Sequence, residues 1–292
     1  MKTICITGAS GGTGKSLVAA VLGKILDDAL MADVSFSHMG VRAFAGGEPF
    51  REMEHSKTLM AKRFESSCNK TGQCIAVCPK GAIRLEYIDP CLCDGCGKCI
   101  QACPTEALYM TSNPAGRWFY ADTDAGLLVD TDLKGAQVFD EAFARQVYQE
   151  ALKLAVARQA KYLVVDLAAG FDDTNLDIME DASLSLLVVE PTKKDLEALK
   201  RNLPLLQGKG IPVCLCINKH DLNKDYTMHI LDFAIAEGLK TVGKLSYADD
   251  LGLMLEASKT EKQSFFGLIP NELKAEFVKM MVSLRFLTEE GE

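Results

Sequence analysis

The stretch of residues 4–16 limits what this chain can fold into more than any other part of the sequence. A short β-branched run breaks there into a glycine-rich turn, and apolar residues at helical spacing follow over residues 15–30. A strand, such a turn and a helix in this order make a phosphate cradle, because backbone N–H groups of the turn and the helix N-terminus point at phosphate oxygens. The pattern predicts that a nucleotide is bound by the residues of the turn, which are Gly11, Gly12, Thr13, Gly14, Lys15 and Ser16.

Two side chains at the end of the turn are predicted to act on the phosphates. The ammonium group of Lys15 reaches the β- and γ-phosphates, so Lys15 is a candidate catalytic residue as well as a ligand. The hydroxyl of Ser16 takes a coordination position on Mg²⁺. The strict motif has glycine six residues before the lysine, where this chain has Ala9.

The composition is typical of a globular protein of about two domains and argues against two classes of partner. Hydrophobic residues make up 48% and charged residues 25% of the 292 residues, and no apolar run reaches the roughly 18 residues of a membrane helix. The net charge of −8 argues against binding to nucleic acid or anionic lipid, since both require a basic surface. The N-terminus shows no cleavable signal pattern. We therefore expect a cytoplasmic protein with no nucleic-acid partner and no stable membrane anchor.

Cysteines are concentrated in one segment, with eight of the eleven between Cys68 and Cys103. In a chain without a signal pattern, such clustering indicates metal ligation rather than disulfides. The segment also repeats itself at an offset of 25 residues. The first copy consists of Cys68, Cys74, Cys78, Pro79, Ala82 and Ile83, and these fall on Cys93, Cys99, Cys103, Pro104, Ala107 and Leu108.

The second copy carries the complete cysteine run of bacterial ferredoxins, Cys-x2-Cys-x2-Cys-x3-Cys-Pro, which starts at Cys93. In that run three closely spaced thiolates hold one cubane and the fourth crosses to the other cluster. A zinc site would instead show two well-separated Cys-x2-Cys pairs. The spacing therefore predicts one [4Fe–4S] cluster held by Cys93, Cys96, Cys99 and Cys78.

The other site lacks one thiol. Its ligands are predicted to be Cys68, Cys74 and Cys103, but Thr71 stands where the second copy has Cys96. Because threonine is a poor iron ligand, the site is expected to hold a second cluster of the [3Fe–4S] type, to hold a [4Fe–4S] cluster with a borrowed ligand, or to stand empty. Cys91 is the only spare thiol nearby. The remaining alternative is a decayed repeat whose cysteines only pack.

Beyond the cysteine segment, near-continuous apolar strands alternate with amphipathic helices. This alternation predicts an α/β fold with a doubly wound, mostly parallel sheet covered by helices on both faces. We place the nucleotide-binding domain at residues 1–58 and 112–292 and an inserted ferredoxin-like iron–sulfur domain at residues 59–111.

A nucleotide loop, a ferredoxin insert after the second strand and a doubly wound remainder together resemble the MinD-superfamily P-loop ATPases with an inserted ferredoxin domain. The resemblance spans nearly the whole chain and includes the deviant Walker A loop. It extends more distantly to the Mrp-type iron–sulfur carriers and the nitrogenase iron protein. It implies that ATP and Mg²⁺ are bound, and that the chain forms a homodimer or a heterodimer with a related ATPase.

The resemblance also implies roles for individual residues. The segment from Asp166 to Gly170 ends an apolar strand as the family's Asp-x-Pro-Pro-Gly does, with Ala168 and Ala169 in place of the two prolines. By that match Asp166 would hold Mg²⁺ through water, and the amide of Gly170 would sense the γ-phosphate.

A second matching segment begins at Asn218 and ends at Asp221. It is similar to the base-reading segment of the superfamily, in which an amide can pair with adenine. The same four-residue pattern suits guanine in GTPases, because a carboxylate can accept from guanine N1–H and the exocyclic amine. ATP is favoured over GTP on the overall resemblance alone.

Two departures from the family bear on hydrolysis. The family's signature lysine, which crosses the dimer to the partner's phosphates, is Ser10 here, and the second switch acid, two residues after Asp33, is Ser35. Serine neither neutralises phosphate charge nor acts as a general base near neutral pH. We therefore expect slow or partner-dependent hydrolysis, with Asp33 as the remaining candidate catalytic acid beside Lys15 and Asp166.

Together these features predict a nucleotide-dependent iron–sulfur protein that couples ATP binding and hydrolysis to electron transfer, with a redox protein as its partner. Two alternatives stay open. One is a nucleotide-state switch or scaffold that governs a partner, and the other is a carrier that delivers iron–sulfur clusters to an acceptor protein.

Overall fold

The computed structural model describes residues 1–36, 40–90, 92–132 and 141–289, so Cys91 lies outside the described residues. The chain divides into two compact units. Unit 1 consists of Met1–Arg51, Phe119–Thr131 and Ala144–Glu292, and unit 2 consists of Glu52–Trp118 and Asp132–Phe143. The predicted insert at residues 59–111 lies within unit 2, and its boundaries stay a prediction.

Strands and helices alternate along most of the described chain. The strands are β1 (Lys2–Thr7), β2 (Ala29–Val34), β3 (Glu48–Arg63), β4 (Leu108–Thr123), β5 (Gly126–Asp132), β6 (Tyr162–Leu167), β7 (Leu184–Val189), β8 (Val213–Asn218) and β9 (Lys240–Leu245). The helices are α1 (Lys15–Ile25), α2 (Val41–Ala45), α3 (Gln73–Ala76), α4 (Lys98–Gln101), α5 (Glu141–Ala157), α6 (Asp173–Glu180), α7 (Lys193–Gly208), α8 (Lys224–Ala236), α9 (Leu251–Thr260), α10 (Phe265–Leu268) and α11 (Asn271–Glu289).

The sheet of unit 1 has the strand order β5-β2-β6-β1-β7-β8-β9. The pairs from β5 through β9 are parallel. β6 and β7 are buried along their whole length, which explains why their sequences read as continuous apolar runs. The predicted doubly wound, mostly parallel α/β sheet is confirmed.

The parallel pairing brings the carboxyl ends of strands that are far apart in the sequence to one edge of the sheet. Ile6 of β1 pairs with Asp166 of β6, and Asp33 of β2 pairs with the same Asp166. In open α/β sheets this edge is where ligands bind, at the point where the strand order reverses direction. The phosphate loop, which follows β1, and the two aspartates therefore belong to the same edge.

Helix α11 packs against the core of this sheet. Its buried side chains include Leu273, Phe277, Met280 and Leu284, and all four belong to the main core cluster. The apolar side of the helix is thus used in packing. Among the helices that the structure describes, none is long and apolar enough to cross a membrane.

Unit 2 contains the cysteine segment and a small core of its own. The buried residues of that core are Ala61, Ile83, Cys99 and Leu108, and several other cysteines pack against them. The two short helices α3 and α4 each carry one cysteine of the 25-residue repeat. A unit with so small a hydrophobic core needs a further source of stability, such as bound metal.

Candidate nucleotide site and two cysteine cavities

The phosphate loop occupies residues 8–14, between β1 and α1. Gly14 precedes α1 with φ 89°, in the left-handed region. A Cβ at Gly14 would also lie 2.3 Å from Nδ2 of Asn218. Both constraints require glycine at this position, because a side chain would be strained and would collide. The predicted strand, turn and helix are all present.

Lys15 and Ser16, the first two residues of α1, have different partners. Lys15 is buried, and its Nζ donates to the carbonyl oxygen of Ser10 at 3.1 Å. Burial lowers the pKa of Lys15, and the carboxylates of Asp166 and Asp195 oppose that shift. Oγ of Ser16 donates to Oδ2 of Asp166 at 2.5 Å. The ammonium group of Lys15 is thus bonded to a backbone carbonyl of the loop in which phosphate oxygens are expected to bind.

Asp166 is the clearest candidate for a metal ligand in unit 1. Its side chain is completely buried, and its Oδ1 has no hydrogen-bond partner within the described residues. Burial raises the pKa of Asp166 well above its ordinary value, and the charge of Asp33 raises it further, while the Ser16 hydrogen bond opposes the shift. A buried carboxylate oxygen left without a partner costs free energy. A hard cation such as Mg²⁺, which prefers oxygen ligands, would satisfy it.

Asp33 is buried as well, but its oxygens are occupied. Oδ1 accepts from the amide and the hydroxyl of Ser35 at 2.9 and 2.6 Å, and Oδ2 accepts from the Val41 amide at 2.8 Å. Burial raises the pKa of Asp33, and these hydrogen bonds oppose the shift. Ser35, at the position of the family's second switch acid, is therefore tied to Asp33.

The loop after β6 is held by hydrogen bonds of Ala168 and Gly170. The amide of Gly170 donates to the Gly8 carbonyl at 2.9 Å. Nδ2 of the buried Asn175 donates to the carbonyls of Ala168 and Gly170 at 3.2 and 3.1 Å. In this conformation the Gly170 amide is committed to the phosphate loop, so contact with a γ-phosphate would require that bond to break.

Asn218 is the last residue of β8 and Asp221 follows the strand, at the same edge of the sheet. Nδ2 of Asn218 donates to the Thr13 carbonyl at 2.8 Å, and its Oδ1 accepts from the Lys219 amide at 3.0 Å. Oδ1 of Asp221 accepts from the Tyr247 amide at 2.8 Å. Asn218 thus braces the phosphate loop, and a contact of either residue with a base stays a prediction.

Two polar side chains that the sequence did not single out also contact the loop. Oδ1 of Asp195 accepts from Oγ of Ser10 at 2.8 Å. Nζ of Lys219 lies 2.5 Å from Oε1 of Glu190 and donates to the Gly12 carbonyl at 3.3 Å. The sequence around Asp195 indicates only a helix N-terminus, and in the structure its amide donates to Oγ1 of the capping Thr192. That local signal gives no indication of a partner 185 residues away.

In unit 2 the predicted cluster ligands fall into two cavities. The first cavity is lined by all four predicted ligands of the complete site, which are Cys78, Cys93, Cys96 and Cys99, together with apolar side chains such as Ala61 and Met110. The amide of Ala82 donates to Sγ of Cys78 at 3.3 Å, the type of hydrogen bond that stabilises a thiolate. The donors therefore fit a cubane, which takes one thiolate at each of four irons.

The second cavity is lined by the three remaining cysteines, Cys68, Cys74 and Cys103, and by Thr71. Burial raises the pKa of Cys103, but hydrogen bonds from Thr105 and from following backbone amides outweigh it and lower the pKa overall. Cys78 of the first copy thus lines the cavity formed by cysteines of the second copy, and Cys103 of the second copy lines the other cavity. The crossing pattern of ferredoxins requires this arrangement.

The thiols surround a space rather than a point. Within the described residues, no three cysteine, histidine or carboxylate side chains are grouped so that they could hold a single metal ion. A cubane does not require such convergence, because each of its irons binds a separate thiolate.

Comparisons with known proteins agree with both parts of the molecule. Two family models, each described as a 4Fe-4S binding domain, match residues 86–109 and residues 65–81. The second match covers the copy that contains Thr71. No curated protein is similar enough in sequence to count as a relative.

Solved structures resemble the whole chain at low sequence identity. An McdA variant from Cyanothece in complex with ATP is 17% identical with a TM-score of 0.57, over 97% of this chain and 96% of that one. MinD in the MinC:MinD complex of Aquifex aeolicus is 14% identical with a TM-score of 0.55, over 98% and 96%. A ParA family ATPase from Chlorobium tepidum is 16% identical with a TM-score of 0.55, over 96% and 98%.

These findings confirm the likeness to MinD-type ATPases with a ferredoxin segment, while the likeness to Mrp carriers and the nitrogenase iron protein stays a prediction. At these identities the structural likeness defines the fold, and the family models define the iron–sulfur motifs. The chain has the fold of the MinD and ParA P-loop ATPases and carries 4Fe–4S binding motifs within residues 65–109.

Proposed function

We propose that this chain is a nucleotide-dependent iron–sulfur protein that couples ATP binding and hydrolysis to electron transfer. The observation that carries the proposal is the presence, in one chain, of a phosphate loop beside a buried unsatisfied carboxylate oxygen and of a cavity lined by four thiols. The first is suited to a nucleotide with its metal, and the second to a redox cluster.

In unit 1, residues 11–16 would hold the phosphates of ATP, and Ser16 with Asp166 would hold Mg²⁺. ATP is supported over GTP by the fold, since the similar McdA structure contains ATP. Bound ATP and Mg²⁺ would supply the transferable phosphoryl group and its charge compensation. Lys15 would stabilise the negative charge on the phosphates, and Gly170 would exchange its bond to Gly8 for one to the γ-phosphate.

Hydrolysis would be slow, or would depend on a partner. Ser10 and Ser35 carry no charge, and each is hydrogen-bonded to a buried aspartate, Asp195 and Asp33 respectively. Asp33 is the remaining candidate to accept a proton, and burial raises its pKa, but its bonds to Ser35 and Val41 would have to break first. A second copy or a related ATPase could supply the missing cation. A MinD with this fold is found in a complex with MinC, which supports a protein partner here.

In unit 2, Cys78, Cys93, Cys96 and Cys99 would hold one [4Fe–4S] cluster, which supplies one-electron chemistry when bound. The protein would bind it in a cavity lined by both apolar and charged side chains, and the amide of Ala82 would donate a hydrogen bond to the ligand sulfur of Cys78. The electron donor and acceptor would be other redox proteins.

The test is anaerobic purification followed by iron and sulfide counts and EPR, with and without ATP and Mg²⁺. We expect at least about four irons per chain and a reduced-state EPR signal. ATP with Mg²⁺ should change the potential or the rate of reduction, and Lys15→Ala should abolish that change. A cluster that is passed intact to an apo acceptor would indicate a carrier, and nucleotide-dependent partner binding without redox change would indicate a switch.

A further inference from the structure

The two copies of the cysteine repeat have the same backbone conformation. Helix α3 begins after Gly72 with φ 76° and ψ 2°, and helix α4 begins after Gly97 with φ 72° and ψ −3°. The amide of Ile75 donates to the Gly72 carbonyl at 3.0 Å, and the amide of Ile100 donates to the Gly97 carbonyl at 3.0 Å. The first copy therefore has the local shape of the complete ferredoxin run.

One residue of the first copy keeps this shape at a cost. Lys70 has φ 55°, whereas the equivalent residue of the second copy is Gly95 with φ 74°. A residue with a Cβ is strained in the left-handed region, and such strain persists only where the surrounding structure imposes it. Lys70 thus keeps a left-handed conformation at the position where the complete copy has glycine, which extends the match between the two backbones beyond the helix starts.

The second cavity differs from the first in its charged groups, because Lys80 and Asp94 line the first cavity whereas Arg63 and the exposed Lys70 line the second. Three thiols line it, from Cys68, Cys74 and Cys103, and Thr71 supplies a neutral hydroxyl where a fourth thiolate would stand. A cluster held there would carry one negative ligand fewer than a cluster held by four thiolates.

Arg63 lines the same cavity. Its side chain is only 4% exposed, and its two terminal nitrogens donate to the carbonyls of Leu85 and Arg84. Its Nε is buried and has no hydrogen-bond partner among the described residues. Glu65 lies 3.9 Å from the guanidinium but is 65% exposed, so solvent screens that ion pair. The wall of the second cavity thus holds a fixed cation with an unused donor.

We propose that the second cavity binds an iron–sulfur cluster through three thiolates, with the Arg63 guanidinium beside it as an additional positive charge. This inference rests on the proposed function as an iron–sulfur protein. Net charge and hydrogen bonds to sulfur set the potential of such clusters. The second cluster therefore accepts an electron at a higher potential than the cluster at Cys93, Cys96, Cys99 and Cys78. The electron comes from that first cluster after an external low-potential one-electron donor has reduced it, and no covalent bond changes.

The test is an EPR-monitored redox titration with dithionite of the reconstituted full chain, in parallel with iron counts. The variants are Arg63→Gln, which is neutral but keeps donors for the two carbonyls, Arg63→Lys, which keeps the charge without the Nε donor, and Lys62→Met as the control. Lys62 is the exposed neighbouring cation. We expect Arg63→Gln to lower the midpoint potential of the second cluster only, Arg63→Lys to lower it less, and Lys62→Met to leave both potentials unchanged.

The outcomes separate this inference from the proposed function. A wild-type chain with only about four irons would overturn the three-thiolate site and leave the proposed function standing. Two clusters whose potentials are unaffected in Arg63→Gln would overturn the role of Arg63. If Arg63→Gln loses both signals through misfolding, Arg63→Met replaces it, and an unshifted second cluster in that neutral variant would overturn the role of Arg63. A chain without iron would overturn the proposed function itself.

Discussion

Oγ of Ser16 donates a 2.5 Å hydrogen bond to Oδ2 of Asp166, and this bond joins the phosphate loop to the end of β6 across 150 residues of sequence. The other oxygen of the same carboxylate is buried without a partner in the described structure. One oxygen thus orients the loop hydroxyl while the other is available to a cation. The pair has the donor chemistry of a Mg²⁺ site at the phosphate loop.

Replacing Asp166 with asparagine should remove the Mg²⁺ dependence of nucleotide binding. The amide preserves the size of the side chain and can still contact Ser16, but it carries no charge for the cation. We expect ATP affinity in the presence of Mg²⁺ to fall at least about tenfold, which corresponds to about 1.4 kcal/mol. Calorimetric titration with and without EDTA measures the effect, and Asp181→Asn, at an exposed acid of unit 1, serves as the control. An unaltered Mg²⁺ dependence would exclude Asp166 as the ligand.

The raised pKa of Asp166 predicts a pH dependence of Mg²⁺ binding. Burial, with the charge of Asp33, keeps a proton on Asp166 at a pH where an ordinary aspartate is ionised. Protons and Mg²⁺ therefore compete, so affinity for Mg²⁺–ATP should fall as the pH is lowered toward and through this raised pKa. The stability of the fold depends on pH in the opposite direction. Protonation of Asp166 contributes fully to the free energy of unfolding below the unfolded pKa of 3.8, and this contribution is lost as the pH rises through the folded pKa. Proton release on Mg²⁺ addition, absent in Asp166→Asn, is the measurement.

Lys15→Ala should weaken ATP binding while leaving the fold intact. The substitution removes the charge at the β- and γ-phosphates but keeps the backbone cradle. We expect an affinity loss of at least about tenfold. Lys24→Ala is a matched control, because Lys24 lies on the same helix and its Nζ donates to the carbonyl of Asp124 on the surface. Equal ATP affinity in Lys15→Ala and wild type would rule out the loop as the nucleotide site.

The two cysteine cavities should respond separately to substitution. Cys93→Ser or Cys99→Ser removes a thiolate from the four-cysteine cavity and should abolish the main reduced-state EPR signal. Cys68→Ser or Cys74→Ser changes the other cavity and should leave that signal in place. The opposite pattern would reverse the assignment of the two sites.

Much of this arrangement was predictable because its signals are local. The 25-residue repeat predicted which thiols group together, and the apolar strands predicted the parallel sheet. The contacts between Ser10 and Asp195 and between Asn218 and Thr13 were not predictable, because they depend on the order in which distant strands pair. Arg63 was missed for a related reason. It is the last residue of the 16-residue strand β3, and nothing in the sequence places that strand end against the second cavity.

Thr71→Cys should complete the second cavity. Thr71 and Cys96 occupy equivalent positions, and the following glycines, Gly72 and Gly97, differ by only a few degrees in φ and ψ. The backbone therefore has the shape of a four-thiolate site and lacks one ligand. If the wild-type cavity holds a three-iron cluster, the substitution should add about one iron, whereas an empty cavity should gain about four. A three-iron cluster would also give an EPR signal in the oxidised wild type that an all-cysteine [4Fe–4S] cluster lacks, and this signal should disappear in Thr71→Cys. Ser66→Cys, at an exposed serine of the same unit that lines neither cavity, controls for the added thiol. Iron content that stays at about four per chain in both wild type and Thr71→Cys after anaerobic reconstitution would show that equivalent backbone angles do not suffice for binding, and the repeat would then have lost its function in this half.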